Sequence, residues 1–221
     1  MCEAKLDSLI GVERQVAQHH IRASEHTLQL IDRYHLTPIV LVRNIYDFAV
    51  SIADHIANES PVGPIAYFDD GIARLPMEDR VNAAMDLAIP WCINFYVSWW
   101  RARPEAIATY EDLILGGPVR QSSHLRSIGL NTEIAEVIAA HEMTKAQHTR
   151  LNVGVAGRGL KFVNFLRRRH VERLASYYPD VDFSLIGIGK KRSSFAVGLR
   201  SALAGILSRS KPMDALASEV R

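Results

Sequence analysis

Three observations in the amino-acid sequence predict an α/β protein. A continuous apolar run rich in β-branched residues, Ile39-Val40-Leu41-Val42, is followed at once by helical periodicity. A second strand pattern, Ala106-Ile107-Ala108-Thr109-Tyr110, comes after a long helical stretch. Strand and helix signals alternate along the chain, as they do in α/β architectures. The composition agrees with one globular domain, or one domain with an appendage: 221 residues, 48% hydrophobic and 23% charged. A disordered chain needs lower hydrophobicity and a higher net charge.

Taken in order, residues 4–17 place Leu6, Leu9, Ile10, Val12 and Val16 on a helical stripe. Residues 25–34 read as helix, with Ser24 as N-cap. Pro38 opens the strand at 39–42, whose unbroken apolar character predicts burial on both faces of a parallel sheet. After the turn at Arg43-Asn44 a helix resumes, with Phe48, Ile52 and Ile56 on one side. Residues 58–76 hold Pro61, Gly63, Pro64, Gly71 and Pro76 and read as a long loop or lid. A helix over 77–101 follows, kinked or split by Pro90. The strand at 106–110 ends in Glu111-Asp112, and helices follow at 117–128 and 131–143, the second capped by Asn131. Residues 152–159 form a glycine-rich loop leading into a basic helix at about 160–177, which stops before Pro179. These spans group into an α/β domain over 1–189 and a basic tail over 190–221, helical at 194–208.

The net charge of +2 is too small to argue a nucleic-acid partner. Two cysteines, Cys2 and Cys92, cannot build a disulfide framework, and no Cys/His group has zinc spacing, so no metal is expected. The start Met-Cys-Glu-Ala-Lys has no basic region ahead of an apolar core, and the longest apolar stretches are interrupted. The expectation is a cytoplasmic protein without a transmembrane segment, in a reducing compartment.

Three groups of residues invite a chemical reading. Arg43 ends the first strand ahead of a helix, where its planar fork suits an anion and Ser51 leans back toward the same place. The bland alternative is an Arg43–Asp47 ion pair beside a solvated serine. The glycine-rich loop, flanked by Arg150, Arg158 and Lys161, is either an anion nest or a flexible turn. His19 and His20 are either a general base near that strand or two of nine histidines without special duty.

The combination resembles a known family. Arg43-Asn44-Ile45-Tyr46-Asp47-Phe48-Ala49-Val50-Ser51, after its strand, is similar to the Arg-Asn-Pro-x-Asp-x-x-x-Ser segment that binds the 3′-phosphate in PAPS-dependent sulfotransferases. It departs at Ile45, where that family usually has proline. Gln18-His19-His20-Ile21 is similar to the Lys-x-His-Leu segment carrying the family's catalytic histidine, which aligns with His20. Thr109-Tyr110-Glu111-Asp112-Leu113 looks like the family's Tyr-Glu-Asp-Leu strand end. Asn152-Val153-Gly154-Val155-Ala156-Gly157 resembles the late Arg-Lys-Gly-x-x-Gly loop, with Asn152 and Val153 at its basic positions and Arg150 near enough to supply charge. The resemblance covers about residues 15–180.

That resemblance implies a three-layer parallel sheet flanked by helices, the P-loop NTPase-like sulfotransferase fold. It implies PAPS as sulfuryl donor and an acceptor hydroxyl or amine. His20 would be the base, Arg43 and Ser51 would hold the 3′-phosphate, Tyr110 would lie near the adenine, and Arg150, Asn152 and Gly154 would close the nucleotide loop. The family's opening Pro-Lys-Ser-Gly-Thr-type loop has no counterpart ahead of His20, and Lys5 is not in a glycine loop. The expectation is therefore an N-terminally truncated member. The competing function is an inactive nucleotide- or partner-binding module, as a monomer or homo-oligomer. In it the basic helix with Arg167, Arg168, Arg169 and Arg173 would face an acidic partner, a membrane surface or only solvent. A P-loop kinase relative is weaker, since no Gly-x-x-x-x-Gly-Lys-Ser/Thr is present.

Overall fold

The computed structural model describes residues 16–60, 65–130, 133–146 and 155–189. Helix α1 (Glu25–Arg33) starts where the sequence places it, because the Ser24 hydroxyl accepts the Thr27 amide at 3.2 Å. Strand β1 (Val40–Val42) follows. Its burial alternates: Val40 and Val42 lie in the core, whereas Leu41 is 44% exposed. The expectation of a strand covered on both faces is corrected here. The main apolar core takes in Val40 and Val42 but not Leu41.

Asn44 ends the strand and caps helix α2 (Ile45–Asn58), its side-chain oxygen accepting the Tyr46 and Asp47 amides at 3.1 and 3.3 Å. The buried stripe of α2 is Ala49, Val50, Ala53 and Ile56, while Phe48 and Ile52 sit half-buried at its margin. Ala49 and Ala53 have no exposed area, and such small side chains let a neighbouring helix approach closely. Within the stretch read as a lid, Asp69 caps a short helix, α3 (Asp70–Ala73), and Phe68 is buried with Ile56 and Ala88.

Pro90 does split the following helical stretch. Helix α4 (Met77–Leu87) stops, and α5 (Ile89–Ala102) begins with Pro90 in its first turn, where the missing N–H has no partner to lose. Helix α4 packs on α2, and its Val81, Ala84 and Met85 are buried. On α5, Tyr96 donates its hydroxyl to the Asp182 carbonyl at 2.6 Å, and its ring lies 5.5 Å from that of Phe183. These contacts hold the segment after residue 178 against α5.

A 3-10 turn, Pro104–Ala106, leads into β2 (Ile107–Thr109). It runs parallel to β1, with Val40 opposite Ile107 and Val42 opposite Thr109. A parallel pair needs a long crossover, here supplied by α2 to α5. The described residues are therefore mostly helical around one two-stranded parallel sheet, an arrangement compatible with the α/β class. A three-layer sheet is not seen among them.

Tyr110 does not end the strand; it is the first residue of α6 (Tyr110–Leu113), capped by Thr109. Helices α7 (Gly117–Ser127) and α8 (Ile134–Ala146) pack on each other. The single basic helix read over 160–177 is two helices, α9 (Gly159–Phe162) and α10 (Phe165–Ala175). The break comes from Asn164, whose side chain accepts the Arg167 amide at 3.0 Å and restarts the helix as an N-cap. Residues 4–15 of the predicted helix at 4–17, the Asn131 cap and the tail at 190–221 lie outside the described residues, and residues 16 and 17 are not helical. Among the described residues no helix is long and apolar enough to cross a membrane.

Tyr96→Phe removes the donor to the Asp182 carbonyl while keeping the ring. Urea unfolding is expected to show a loss of about 1 kcal/mol, as for one buried hydrogen bond. An unchanged midpoint would mean that this bond does not hold the 178–188 segment.

Candidate functional site

The site forms where the two parallel strands end. Arg43 follows β1 and Tyr110 follows β2, and the register that pairs Val42 with Thr109 sets them side by side. The Arg43 guanidinium carbon lies 4.5 Å from the centre of the Tyr110 ring. Such a cation–π stack contributes about 0.5–2 kcal/mol and fixes the plane of the fork. The Asn44 amide donates to the Glu111 carboxylate at 3.2 Å, tying the two strand-end turns together.

The glycine-rich segment closes on the same place from more than a hundred residues away. Arg43 donates through Nη2 to the Val155 carbonyl at 3.2 Å. Asp47, only 4% exposed, accepts the Gly157 amide at 2.7 Å and the Gly159 amide at 2.6 Å. Arg158 pairs with Asp54 at 2.5 Å, both side chains largely covered. Asp47, Ser51 and Asp54 fall on one face of α2 by their spacing, so half-buried Ser51 shares the face that receives the loop. Gly159 is required by contact: a Cβ there would meet the Tyr46 backbone at 2.5 Å and the Asp47 nitrogen at 2.7 Å.

The ion-pair half of the bland reading is not seen. No Arg43–Asp47 ion pair forms, because the carboxylate turns to the loop amides and the guanidinium to Tyr110. Among the described residues the Arg43 Nε is buried without a hydrogen-bond partner. An unpaired donor of this kind costs about 1–3 kcal/mol. The reading of the loop as an anion nest is narrowed in turn: two of its amides are already taken by Asp47.

His20 is positioned differently. Its neighbours dock on α5, where Trp99 donates to the Ile21 carbonyl at 2.9 Å and the Ala23 amide donates to Ser98 at 3.1 Å. No hydrogen bond, ion pair or ring contact joins His20 to Arg43, Ser51 or Tyr110 among the described residues. Partial burial, and secondarily His19 beside it, pushes the His20 imidazole below its ordinary value of 6.5. Arg150, Asn152 and Gly154 lie outside the described residues. Burial raises the Cys92 thiol well above the usual range, so it is not an activated nucleophile. Among the described residues no group of His, Cys, Asp and Glu is arranged to hold a metal.

Asp47, Gly159 and Glu111 are the residues whose part in the site the sequence leaves unread. Asp47 stands in the first turn of a helix, where a carboxylate is ordinarily just a favourable charge. Nothing in its spacing reveals that its acceptors reach a loop so distant in sequence.

No family model matches this chain, and neither does a curated protein or a solved structure.

Asp47→Asn replaces one acceptor of a loop amide with a donor. The expected loss is about 2–3 kcal/mol, by analogy with hydrogen bonds to charged groups, with faster hydrogen exchange at Gly157 and Gly159. Unchanged exchange at both amides would mean that Asp47 does not hold the loop. A second prediction concerns pH. A His20 pKa depressed by folding means that the unfolded chain binds more protons between the folded value and 6.5. The contribution of His20 to stability is thus present above pH 6.5 and lost as pH falls through the folded pKa. Proton NMR titration of the imidazole should give a midpoint below 6.5; a midpoint at or above 6.5 contradicts it.

Proposed function

We propose that this chain is a sulfotransferase-type protein that binds 3′-phosphoadenosine 5′-phosphosulfate and transfers its sulfuryl group to an acceptor hydroxyl or amine. The observation that carries the reading is Arg43: stacked on Tyr110, tied to the glycine-rich segment, and keeping one buried donor unpaired. Three segments picked out for their resemblance to that family thus meet at one strand end. In the wider proposal, the two strands belong to a three-layer parallel sheet.

Arg43 takes the 3′-phosphate by its fork, with the Ser51 hydroxyl on the same side and the Tyr110 ring beside the adenine. Arg150, Asn152 and Gly154 extend the covering loop. The acceptor oxygen or nitrogen attacks sulfur, the bond from sulfur to the bridging phosphate oxygen breaks, and His20 receives the acceptor proton. The depressed pKa keeps His20 neutral near pH 7, as a base must be. A second reading keeps the nucleotide site but omits transfer. It is favoured by His20, which no hydrogen bond, ion pair or ring contact joins to Arg43, Ser51 or Tyr110 among the described residues, its neighbours docking on α5 instead.

Calorimetry with 3′-phosphoadenosine 5′-phosphate and with adenosine 5′-phosphate tests the site. The first should bind at least about tenfold more tightly, the usual scale of one charge-assisted phosphate contact, and Arg43→Ala should erase the difference. Equal affinities in the parent chain would sink the assignment. Sulfuryl transfer from the donor to simple phenols and amines tests the chemistry, with His20→Ala expected to slow turnover about a hundredfold or more. Nucleotide binding without any transfer selects the second reading.

A further inference from the structure

The segment that leaves the glycine loop has an outer surface that the nucleotide reading does not use. Large apolar side chains are exposed along it: Leu160 is 66% exposed, Phe165 67%, Leu166 75% and Tyr177 68%. A folded monomer scatters single exposed apolar residues, whereas a cluster of large ones marks a contact surface.

Helix α10 shows how the cluster is arranged. Val171 and Ala175 are its buried residues. At 100° per residue the opposite face carries Phe165, Leu166, Arg169 and Arg173, with Tyr177 just beyond the last turn. The Arg169 guanidinium lies 5.8 Å from the Phe165 ring, and the exposed Lys161 ammonium 5.5 Å from that of Phe162. The helix is eleven residues long, hence about 16 Å of surface with apolar and cationic side chains interleaved.

The charge of this stretch is one-sided. Between Val155 and Pro179 the sequence has six cations (Arg158, Lys161, Arg167, Arg168, Arg169 and Arg173) and one acid, Glu172. Arg158 and Arg167 are compensated by Asp54 and Asp86. Lys161, Arg169 and Arg173 are exposed and make no ion pair among the described residues. The near-neutral total of +2 therefore hides a local excess of positive charge.

From this pattern we infer that the outer face of α9 and α10 is a peripheral docking surface for an anionic lipid bilayer. Phe165, Leu166 and Leu160 enter the boundary between headgroups and acyl chains, Tyr177 sits at headgroup level, and Lys161, Arg169 and Arg173 meet the anionic headgroups. The combination favours a bilayer over an acidic protein. A bilayer offers apolar depth and diffuse negative charge together, and an interfacial helix needs both. This inference does not depend on the nucleotide reading. Because the Asp47-bound Gly159 is the first residue of α9, docking would hold the candidate site close to the membrane surface.

Flotation of the full chain with vesicles provides the test. Binding is expected to vesicles of 70% phosphatidylcholine and 30% phosphatidylserine at 0.1 M salt, and not to pure phosphatidylcholine. Arg169→Glu with Arg173→Glu should weaken it at least about tenfold, given roughly 1 kcal/mol per basic residue near an anionic surface. Phe165→Ser with Leu166→Ser should weaken it by a similar factor at unchanged charge. All four side chains are exposed or at the rim, and thermal melting of each variant confirms folding. Absence of binding to the anionic vesicles overturns the proposal. So does binding that ignores the Phe165/Leu166 pair, or equal retention on soluble polyglutamate, since either would assign the face to an acidic polymer instead. The comparison of vesicle compositions needs no variant and stands if one fails to fold.

Discussion

A carboxylate almost wholly out of water needs hydrogen-bond donors from the protein itself. Asp47, in the first turn of α2, takes them from two backbone amides, Gly157 at 2.7 Å and Gly159 at 2.6 Å. The N-terminal end of a helix favours negative charge, and two short N–H donors replace the lost water. Much of the site follows from this clamp. It fixes where the glycine-rich segment ends and brings Gly159 against the Tyr46 backbone, closer than a side chain would allow. It also sets where α9 and α10 begin. The Asp54–Arg158 pair reinforces it two turns further along the same face.

The clamp also decides what Arg43 is. With Asp47 committed to the loop, the guanidinium pairs with no carboxylate among the described residues and lies instead over Tyr110, with one donor on the Val155 carbonyl. A stacked arginine is oriented but not neutralised, which is the state an anion-binding residue needs. The parallel pairing of β1 and β2 contributes the rest, because it carries Arg43 and Tyr110 to the same end of the sheet. In open α/β sheets that end is where ligands sit.

The loop thereby separates two surfaces. Inward it meets α2 and the strand ends. Outward it continues into a face where exposed aromatic and aliphatic side chains alternate with cations that no acid pairs with among the described residues. Both properties arise from one stretch of sequence that is poor in carboxylates. Its inner charges are satisfied by Asp54 and Asp86 on other elements, and its outer charges are left to whatever approaches.

Local sequence determined the pieces wherever the cause is local. Ser24 and Asn44 cap the helices that follow them, and Pro90 divides α4 from α5 because a proline belongs in a first turn. The strands at Val40–Val42 and Ile107–Thr109 were legible as apolar runs. The break between α9 and α10 was also a local matter, written in Asn164, yet basic periodicity masked it. What the sequence could not determine was partnership. The exposure of Leu41, the choice of loop amides over Arg43 by Asp47, and the need for glycine at 159 each depend on an element far away in the chain. Periodicity and spacing describe one element at a time, whereas burial and hydrogen-bond choice are settled only when distant segments compete for the same groups.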